Sequence, residues 1–405
     1  MTGQPGVRVR AKISALSGER ELDELLAESP EAARLRVLSH ALPKNTPLVL
    51  YGAGNLGRFT AQRLRQAGVT PAAFADDTPG KQGQTIAGLA VLSPQAALEK
   101  FGAATVFVVT IHNPAASFVK VRRRLQQQLP GARVISFLAL AWAYPDIFLP
   151  YLAFELPQRV LAKAAQIRRT FDLLADEESR RQFVAHLKFR LRLDFAALPE
   201  SNGDYFPTDI VGALAADTTF VDCGAFDGDT IRLFLAHQKG QFGRIFAFEP
   251  DAGNYARLSD YVAGLDEPVR RRITINHAGV GARREQLAFN STGDTGAALS
   301  DTGNVQVDVA PLDEVIPNEP APLFIKIDVE GAESEALAGA ASLIRDRRPM
   351  LALSIYHRPD DLWRLPSALH SLNPGQLFVR TLGEDGMDVV CFAVPQHCIA
   401  RRGLS

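Results

Sequence analysis

The sequence predicts an α/β protein: two Rossmann-like domains joined by a helical connector, the second closing on a terminal antiparallel hairpin. Three observations carry this. PLVLYGAGNLGRFTAQRLRQAG (residues 47–68) and TFVDCGAFDGDTIRLFLAHQ (219–238) each run from an apolar strand through a glycine-bearing loop into an amphipathic helix. Each unit is followed by a second strand ending in an acid, with Asp76 19 residues beyond Gly57 and Glu249 21 residues beyond Gly228. Finally, QLFVRTL and MDVVCFAV flank GEDG, the signature of a hairpin on an otherwise parallel sheet.

Length and composition agree. With 405 residues and 46% hydrophobic content the chain has room for two full cores. The 44 basic and 45 acidic residues leave a net charge of -1, so no global field recruits nucleic acid or an anionic membrane, and small or neutral partners are favoured. Cys223, Cys391 and Cys398 are too few and scattered for a disulfide framework or a zinc site. MTGQPGVRVRAKISAL lacks the apolar core of a secretion signal, and no apolar run approaches 18 residues. The expected location is the cytoplasm.

In chain order, residues 1–45 read as a polar helical arm containing ELDELLAESPEAARLRVLSHAL. Residues 46–142 form the first domain, with strands at PLVLY, at PAAFADD, at ATVFVVTIHNP and at ARVISFLAL, and a helix SFVKVRRRLQQQL before the last. Residues 143–204 carry helical spacing with dense charge, and because acids interleave its arginines, a solvated face is expected. The second domain spans 205–405. Its strands are expected at TFVD, IFAFEP, ITINHAG, VQVDVA, LFIKID and MLALSIYH, the last ending at His357, with one helix over roughly Ala332 to Arg345 and a loop STGDTGAALSDTG.

The two glycine loops differ in charge. GAGNLG presents Gly52, Gly54, Asn55 and Gly57 with no acid and with Arg58 behind it, so N–H groups at the helix start can hold a phosphate, with Asp76 placed for a ribose. A nucleotide, nucleotide-sugar or dinucleotide ligand and a purely structural unit both remain open for it. FVDCGAFDGDT carries Asp222, Asp227 and Asp229, which would repel a pyrophosphate but attract an ammonium and a sulfonium. S-adenosylmethionine has both. Glu249 is then placed to accept from its ribose hydroxyls, and Ala278, Gly279 and Val280, after a strand, to flank adenine.

The string FVDCGAFDGDT, FAFEPD, LDEVI, IKIDVEGAESEALAGA and SIYHRPDDLW, in order from about Tyr205 to Pro395, resembles the FkbM-type family of S-adenosylmethionine-dependent methyltransferases. The resemblance implies a class I methyltransferase fold and methyl transfer to a hydroxyl of a sugar or secondary metabolite. On it, Asp222, Gly224, Ala225, Asp227, Thr230, Glu249, Pro250, Gly279, Val280 and Asp328 hold the cofactor. Phe226 stands where many such loops have glycine. The stretch through GKQGQTIAGLAVLSP loosely resembles the nucleotide-sugar-binding domain of sugar acyltransferases.

A hydroxyl acceptor must lose its proton, and candidates sit at strand ends: Asp328, Glu330 and His357. His357 can equally be a structural histidine and Glu330 a helix-dipole acid. These three can also bind a divalent metal, but nothing in the spacing demands one and none is expected. The expected acceptor is a small molecule or glycan, nucleotide-linked if the first loop binds. Two rivals stand: an oxidoreductase or epimerase using GAGNLG for NAD, which lacks an evident Tyr-x-x-x-Lys pair, and a non-catalytic nucleotide-sugar-binding protein, against which the intact Asp222 and Glu249 argue.

Overall fold

A computed structural model describes residues 18–111, 117–201, 203–212, 214–290, 298–299, 305–317, 321–396 and 398. Residues 1–17 of the arm, His112 to Pro114 of the third expected strand and nearly all of STGDTGAALSDTG lie outside the described residues.

The first sheet contains β1 (Leu48–Tyr51), β2 (Ala73–Ala75), β3 (Thr85–Ile86), β4 (Leu89–Leu92), β5 (Val106–Val109) and β6 (Arg133–Ser136), ordered β3-β4-β2-β1-β5-β6. Its central strands are buried on both faces, as continuous apolar runs require. Only the β3–β4 pair is antiparallel, turned by Ala87 (φ 46) and Gly88 (φ 71), a two-residue hairpin with both central φ values positive, which the sequence reading left unassigned. ARVISFLAL is not one strand. Ser136 ends β6 and its hydroxyl accepts from the Ala139 N–H at 3.1 Å, so Phe137–Ala143 becomes a helix despite its strand-like apolar run.

The connector folds as helices Pro145–Phe148, Pro157–Leu161, Ala164–Leu173 and Glu177–Arg192. The last is not a solvated rod. His186 and Arg190 are buried, and Arg190 donates to the carbonyl of Pro359 at 3.2 Å, so the expected solvated arginine face fails there. Leu22 and Leu25 of the arm enter the same core as Phe171 and Leu187.

The second region holds β7 (Thr219–Cys223), β8 (Ile245–Phe248), β9 (Ile273–Asn276), β10 (Gly279–Val280), β11 (Glu285–Asn290), β12 (Ala298–Leu299), β13 (Val305–Ala310), β14 (Leu323–Ile327), β15 (Met350–Ser354), β16 (Gln376–Thr381) and β17 (Val389–Val394). Seven of them form a sheet ordered β16-β17-β15-β14-β7-β8-β9. All its neighbours are parallel except β17, which runs antiparallel to both β15 and β16. The hairpin is as expected. VQVDVA instead joins β10, β11 and β12 in a separate four-stranded sheet.

The helix expected over 332–345 is two, Glu333–Gly339 and Ala341–Arg347. Asp313 caps the second by accepting from Ser342 and Leu343 N–H at 3.0 and 2.8 Å. β16 would be a bare edge, but the connector covers it. Ala175 N–H donates to the Leu377 carbonyl at 2.8 Å, Val379 N–H to Ser179 Oγ at 2.9 Å and Thr381 N–H to Gln182 Oε1 at 2.8 Å. The hairpin turn reaches the first domain, where Asp385 accepts from Phe118 N–H at 2.7 Å and Glu384 pairs with Lys120 at 2.8 Å.

Candidate functional site

Parallel pairing puts Asp222 of β7 beside Lys326 of β14 in register. Both are buried, with Lys326 Nζ 3.0 Å from Asp222 Oδ1 and donating to the Gly224 carbonyl at 2.6 Å. Asp222 Oδ2 has no hydrogen-bond partner among the described residues. Burial pushes the Asp222 carboxyl up to about 6 against the pull of Lys326. Burial would lower the ammonium of Lys326, yet Asp222 and Asp328 hold it above its ordinary value.

The loop after β7 is a chain of left-handed residues: Gly224 (φ 84), Phe226 (φ 48) and Gly228 (φ 86). A Cβ at Gly224 would lie 1.9 Å from the Asp328 carbonyl oxygen, so this glycine lets the loop close on β14. Phe226 keeps the backbone path of a glycine, which answers the question its side chain raised. Glu249 secures the loop from β8. Its Oε2 accepts from Phe226 N–H at 2.9 Å and its Oε1 from Asp251 N–H at 2.9 Å. The acid expected to face a ribose is therefore also the clasp of its own loop.

The other loop acids are partly neutralised: Asp227 pairs with Arg232 at 2.6 Å, and Asp229 accepts from Thr230 N–H at 2.7 Å. Ala225 and Thr230 are buried under the loop. Gly279 and Val280 are paired into β10 against Val309 and Ala310. Ala278 lines a cavity of about 580 Å³ together with Asn276, His277 and Asp308, and the His277 ring stacks on Tyr255 with centroids 4.5 Å apart. Pro250 borders Gly279, 3.9 Å from where a Cβ would stand.

Asp328, Glu330 and His357 do come together. His357 follows β15, which ends at Ser354, so the histidine sits in the loop beyond the strand rather than at its end. Its Nε2 lies 3.6 Å from Asp328 Oδ1 and 3.6 Å from Glu330 Oε2. Tyr205 donates to Asp328 Oδ2 at 2.8 Å. Glu330 (φ 51) and Gly331 (φ 97) turn the chain in left-handed backbone and aim Glu330 back at the histidine.

Glu333, absent from the sequence-derived candidates, lies beneath: its Oε1 meets His357 Nδ1 at 2.8 Å and accepts from Val329 and Gly331 N–H at 3.1 and 3.3 Å. Burial alone would lower the imidazole, but Glu333, Glu330 and Asp328 carry it up to about 10. Burial lifts Glu330 to about 8. Asp328 stays below its ordinary value, because Lys326 and His357 outweigh its burial.

The first domain repeats the clasp. Ala53 N–H donates to Asp76 Oδ2 at 3.0 Å, Thr78 N–H to Oδ1 at 2.9 Å, and Lys81 pairs with Asp76 at 2.9 Å. Burial opposes ionisation of Asp76, yet these bonds bring it down to about 2. Gly57 is sterically required, since its Cβ would lie 2.0 Å from the Gly52 carbonyl oxygen. Gly54 caps the following helix and faces open space, with Asn55 the first helical residue.

Residues 222–379 match the family described as Methyltransferase FkbM domain. No curated protein matches the chain. Among solved structures, the methyltransferase FkbM from Methylobacillus flagellatus KT is 23% identical with a TM-score of 0.73, covering 94% of this chain and 99% of that one, so the two share a fold. UDP-D-quinovosamine 4-dehydrogenase from Vibrio fischeri (22% identity, TM-score 0.20, 25% of this chain and 87% of that one) is too distant in shape to carry weight. The same holds for precorrin-6y C5,15-methyltransferase from Geobacter metallireducens GS-15 (16%, TM-score 0.29, 45% and 82%).

Proposed function

The chain carries a methyltransferase domain of the FkbM family, and on that premise we propose that it methylates a hydroxyl oxygen of a sugar or secondary metabolite with S-adenosylmethionine as donor. The observation that carries the donor is the buried Asp222 carboxylate, whose Oδ2 lacks a partner at the carboxyl edge of the sheet, beside a loop clasped by Glu249. A cationic ligand fits that oxygen. Bound there, the cofactor supplies a methyl carbon made electrophilic by its sulfonium.

Asp222 takes the ammonium, Gly224, Ala225, Asp227 and Thr230 form the loop around it, and the lone pairs that Glu249 does not spend on its loop accept from the ribose, with Pro250, Gly279 and Val280 beyond. Asp328, Glu330 and His357 face the acceptor. With Glu333 on one nitrogen and two carboxylates 3.6 Å from the other, His357 is the shared counter-charge of three acids and is poorly placed to take up a proton. Asp328, on the cofactor side, is the better acceptor of the hydroxyl proton. These residues would hold the hydroxyl oxygen in line with the methyl group that a bound donor would supply, and most of the acceleration would come from that alignment.

In the same reading the domains divide at 46–142, 143–204 and 205–405, the first loop (Gly52, Gly54, Asn55, Gly57, Asp76) binds a nucleotide-linked part of the acceptor, and the protein works in the cytoplasm. No helix among the described residues is long and apolar enough to cross a membrane. The test is calorimetry with S-adenosylmethionine followed by transfer assays on a panel of glycosides and nucleotide sugars. At saturating donor, Asp328→Asn is expected to lose roughly 10²- to 10⁴-fold in turnover. Absence of donor binding to the wild-type chain sinks the reading.

A further inference from the structure

Tyr205 lies ahead of the family-matched residues 222–379, in the turn-rich segment that leads toward β7. Its neighbour Phe206 is buried among Phe220, Phe234 and Phe324, and Asp204 Oδ1 accepts from the Phe206 N–H at 2.7 Å. An aromatic anchor and a local side-chain turn therefore fix the backbone at Tyr205, and its ring stands beside β14 with Lys326 Nζ 5.3 Å from the ring centre. The hydroxyl donates to Asp328 Oδ2 at 2.8 Å and lies 3.4 Å from Ser354 Oγ. Burial and the charge on Asp328 push this hydroxyl well above its ordinary value, so it keeps its proton and can only donate to the carboxylate.

The two oxygens of Asp328 are not equivalent. Oδ1 is buried, 3.6 Å from His357 Nε2, without a hydrogen-bond partner among the described residues. The side chain as a whole is 21% exposed, so Oδ2 is the oxygen left to meet an acceptor. A carboxylate oxygen offers two lone pairs, and Tyr205 takes one. We propose that Tyr205 is a positioning residue: its hydroxyl pins Asp328 Oδ2 so that the second lone pair of that oxygen faces the acceptor hydroxyl. The inference rests on the reading of Asp328 as the group that takes the acceptor proton. Without the Tyr205 hydroxyl the carboxylate is free to turn toward Lys326, 4.0 Å from Oδ2, and its charged form loses a donor. Asp328 then becomes more basic and yet less well aimed. The other groups in its field are Lys326 and Glu330 on its own segment, Asp222 of β7, Glu333 on the helix that follows, Tyr356 and His357 beyond β15, and Asp388 at the hairpin. All of them stay when one hydroxyl is removed.

The experiment uses the full chain with ¹³C-carboxyl aspartate, the Asp328 resonance being identified by its absence in Asp328→Asn and followed by NMR through a pH titration. Tyr205→Phe is expected to raise the Asp328 midpoint by about one unit, a tenfold change in the proton equilibrium, because the charged form loses a hydrogen bond. Tyr356→Phe, which removes a neighbouring hydroxyl that makes no hydrogen bond to Asp328, is expected to leave the midpoint in place. A ring-fluorinated tyrosine in place of Tyr205, with a stronger donor hydroxyl, is expected to lower the midpoint and covers the case that Tyr205→Phe does not fold. At saturating donor, turnover of a glycoside or nucleotide-sugar acceptor by Tyr205→Phe should fall about tenfold or more, with KM for the acceptor changing less than kcat. An unmoved or lowered midpoint in Tyr205→Phe, or a raised one with wild-type turnover, overturns the inference and leaves the transfer reading standing. Absence of transfer by the wild-type chain to every acceptor tested refutes that reading, and the role of Tyr205 with it.

Discussion

Replacing Glu249 by alanine tests whether this acid is a ligand contact or a clasp. The two backbone N–H groups it holds, Phe226 and Asp251, are each 2.9 Å from a separate carboxylate oxygen, and the residue is only 5% exposed. Each buried donor left unmet costs about 1–3 kcal/mol, so Glu249→Ala should lose about 3 kcal/mol after partial relaxation. For a cooperative unit of about 200 residues, 1 kcal/mol moves the midpoint by roughly 2–4 °C, which predicts a fall of about 6–12 °C. Glu249→Gln retains one accepting oxygen and should lose about half as much. Scanning calorimetry without donor reads this directly, before any ligand is added. If Glu249→Ala melts within about 2 °C of wild type, the clasp does not hold the loop. Loss of donor affinity by itself no longer assigns a ribose contact, because a loosened loop weakens the same site.

Donor affinity should strengthen as pH rises through about 6, where the buried Asp222 ionises and can pair with an ammonium, improving roughly tenfold per unit below that point and levelling above it; Asp222→Asn should flatten the profile, and a flat wild-type profile from pH 5 to 7.5 removes Asp222 from the site. Gly224→Ala forces a Cβ to 1.9 Å from the Asp328 carbonyl on left-handed backbone, so thermal unfolding should show a loss on the order of 3 kcal/mol, and a wild-type midpoint contradicts the packing. In the first domain Gly54→Asp places charge in open space and should weaken nucleotide-sugar binding without changing the melting temperature, whereas Gly57→Ala should destabilise the fold; titration and calorimetry on the pair distinguish a ligand loop from a structural one, and wild type that binds no nucleotide sugar makes the loop structural.

Both strand–loop–helix units and the hairpin were legible because apolar runs, glycine punctuation and a turn signal agree locally. Counting residues also placed an acid at the end of β2 and of β8. Spacing cannot say which lone pairs that acid has left, and here both acids turn inward, Asp76 onto Ala53 and Glu249 onto Phe226. Glu333 escaped for a related reason: an acid in a first helical turn looks like ordinary dipole chemistry, and only the tertiary fold slides it under His357. FLAL read as the end of a strand because a hydrophobic run does not report its period when every position is apolar; the hydroxyl of Ser136 decided the matter. The separate sheet around β13 was hidden because a short strand does not announce which partner it will choose.

The way β16 is covered limits what this protein can do with other copies of itself. An open strand invites another chain to zip onto it, but here the amide hydrogens of Val379 and Thr381 are already given to Ser179 and Gln182, and the carbonyl of Leu377 to Ala175. Growth of the sheet from this side is therefore blocked at the level of single hydrogen bonds, and a second copy meeting the chain here must use side-chain surfaces. A fragment beginning at residue 205 would carry the seven strands without their stopper and would be expected to stick to itself.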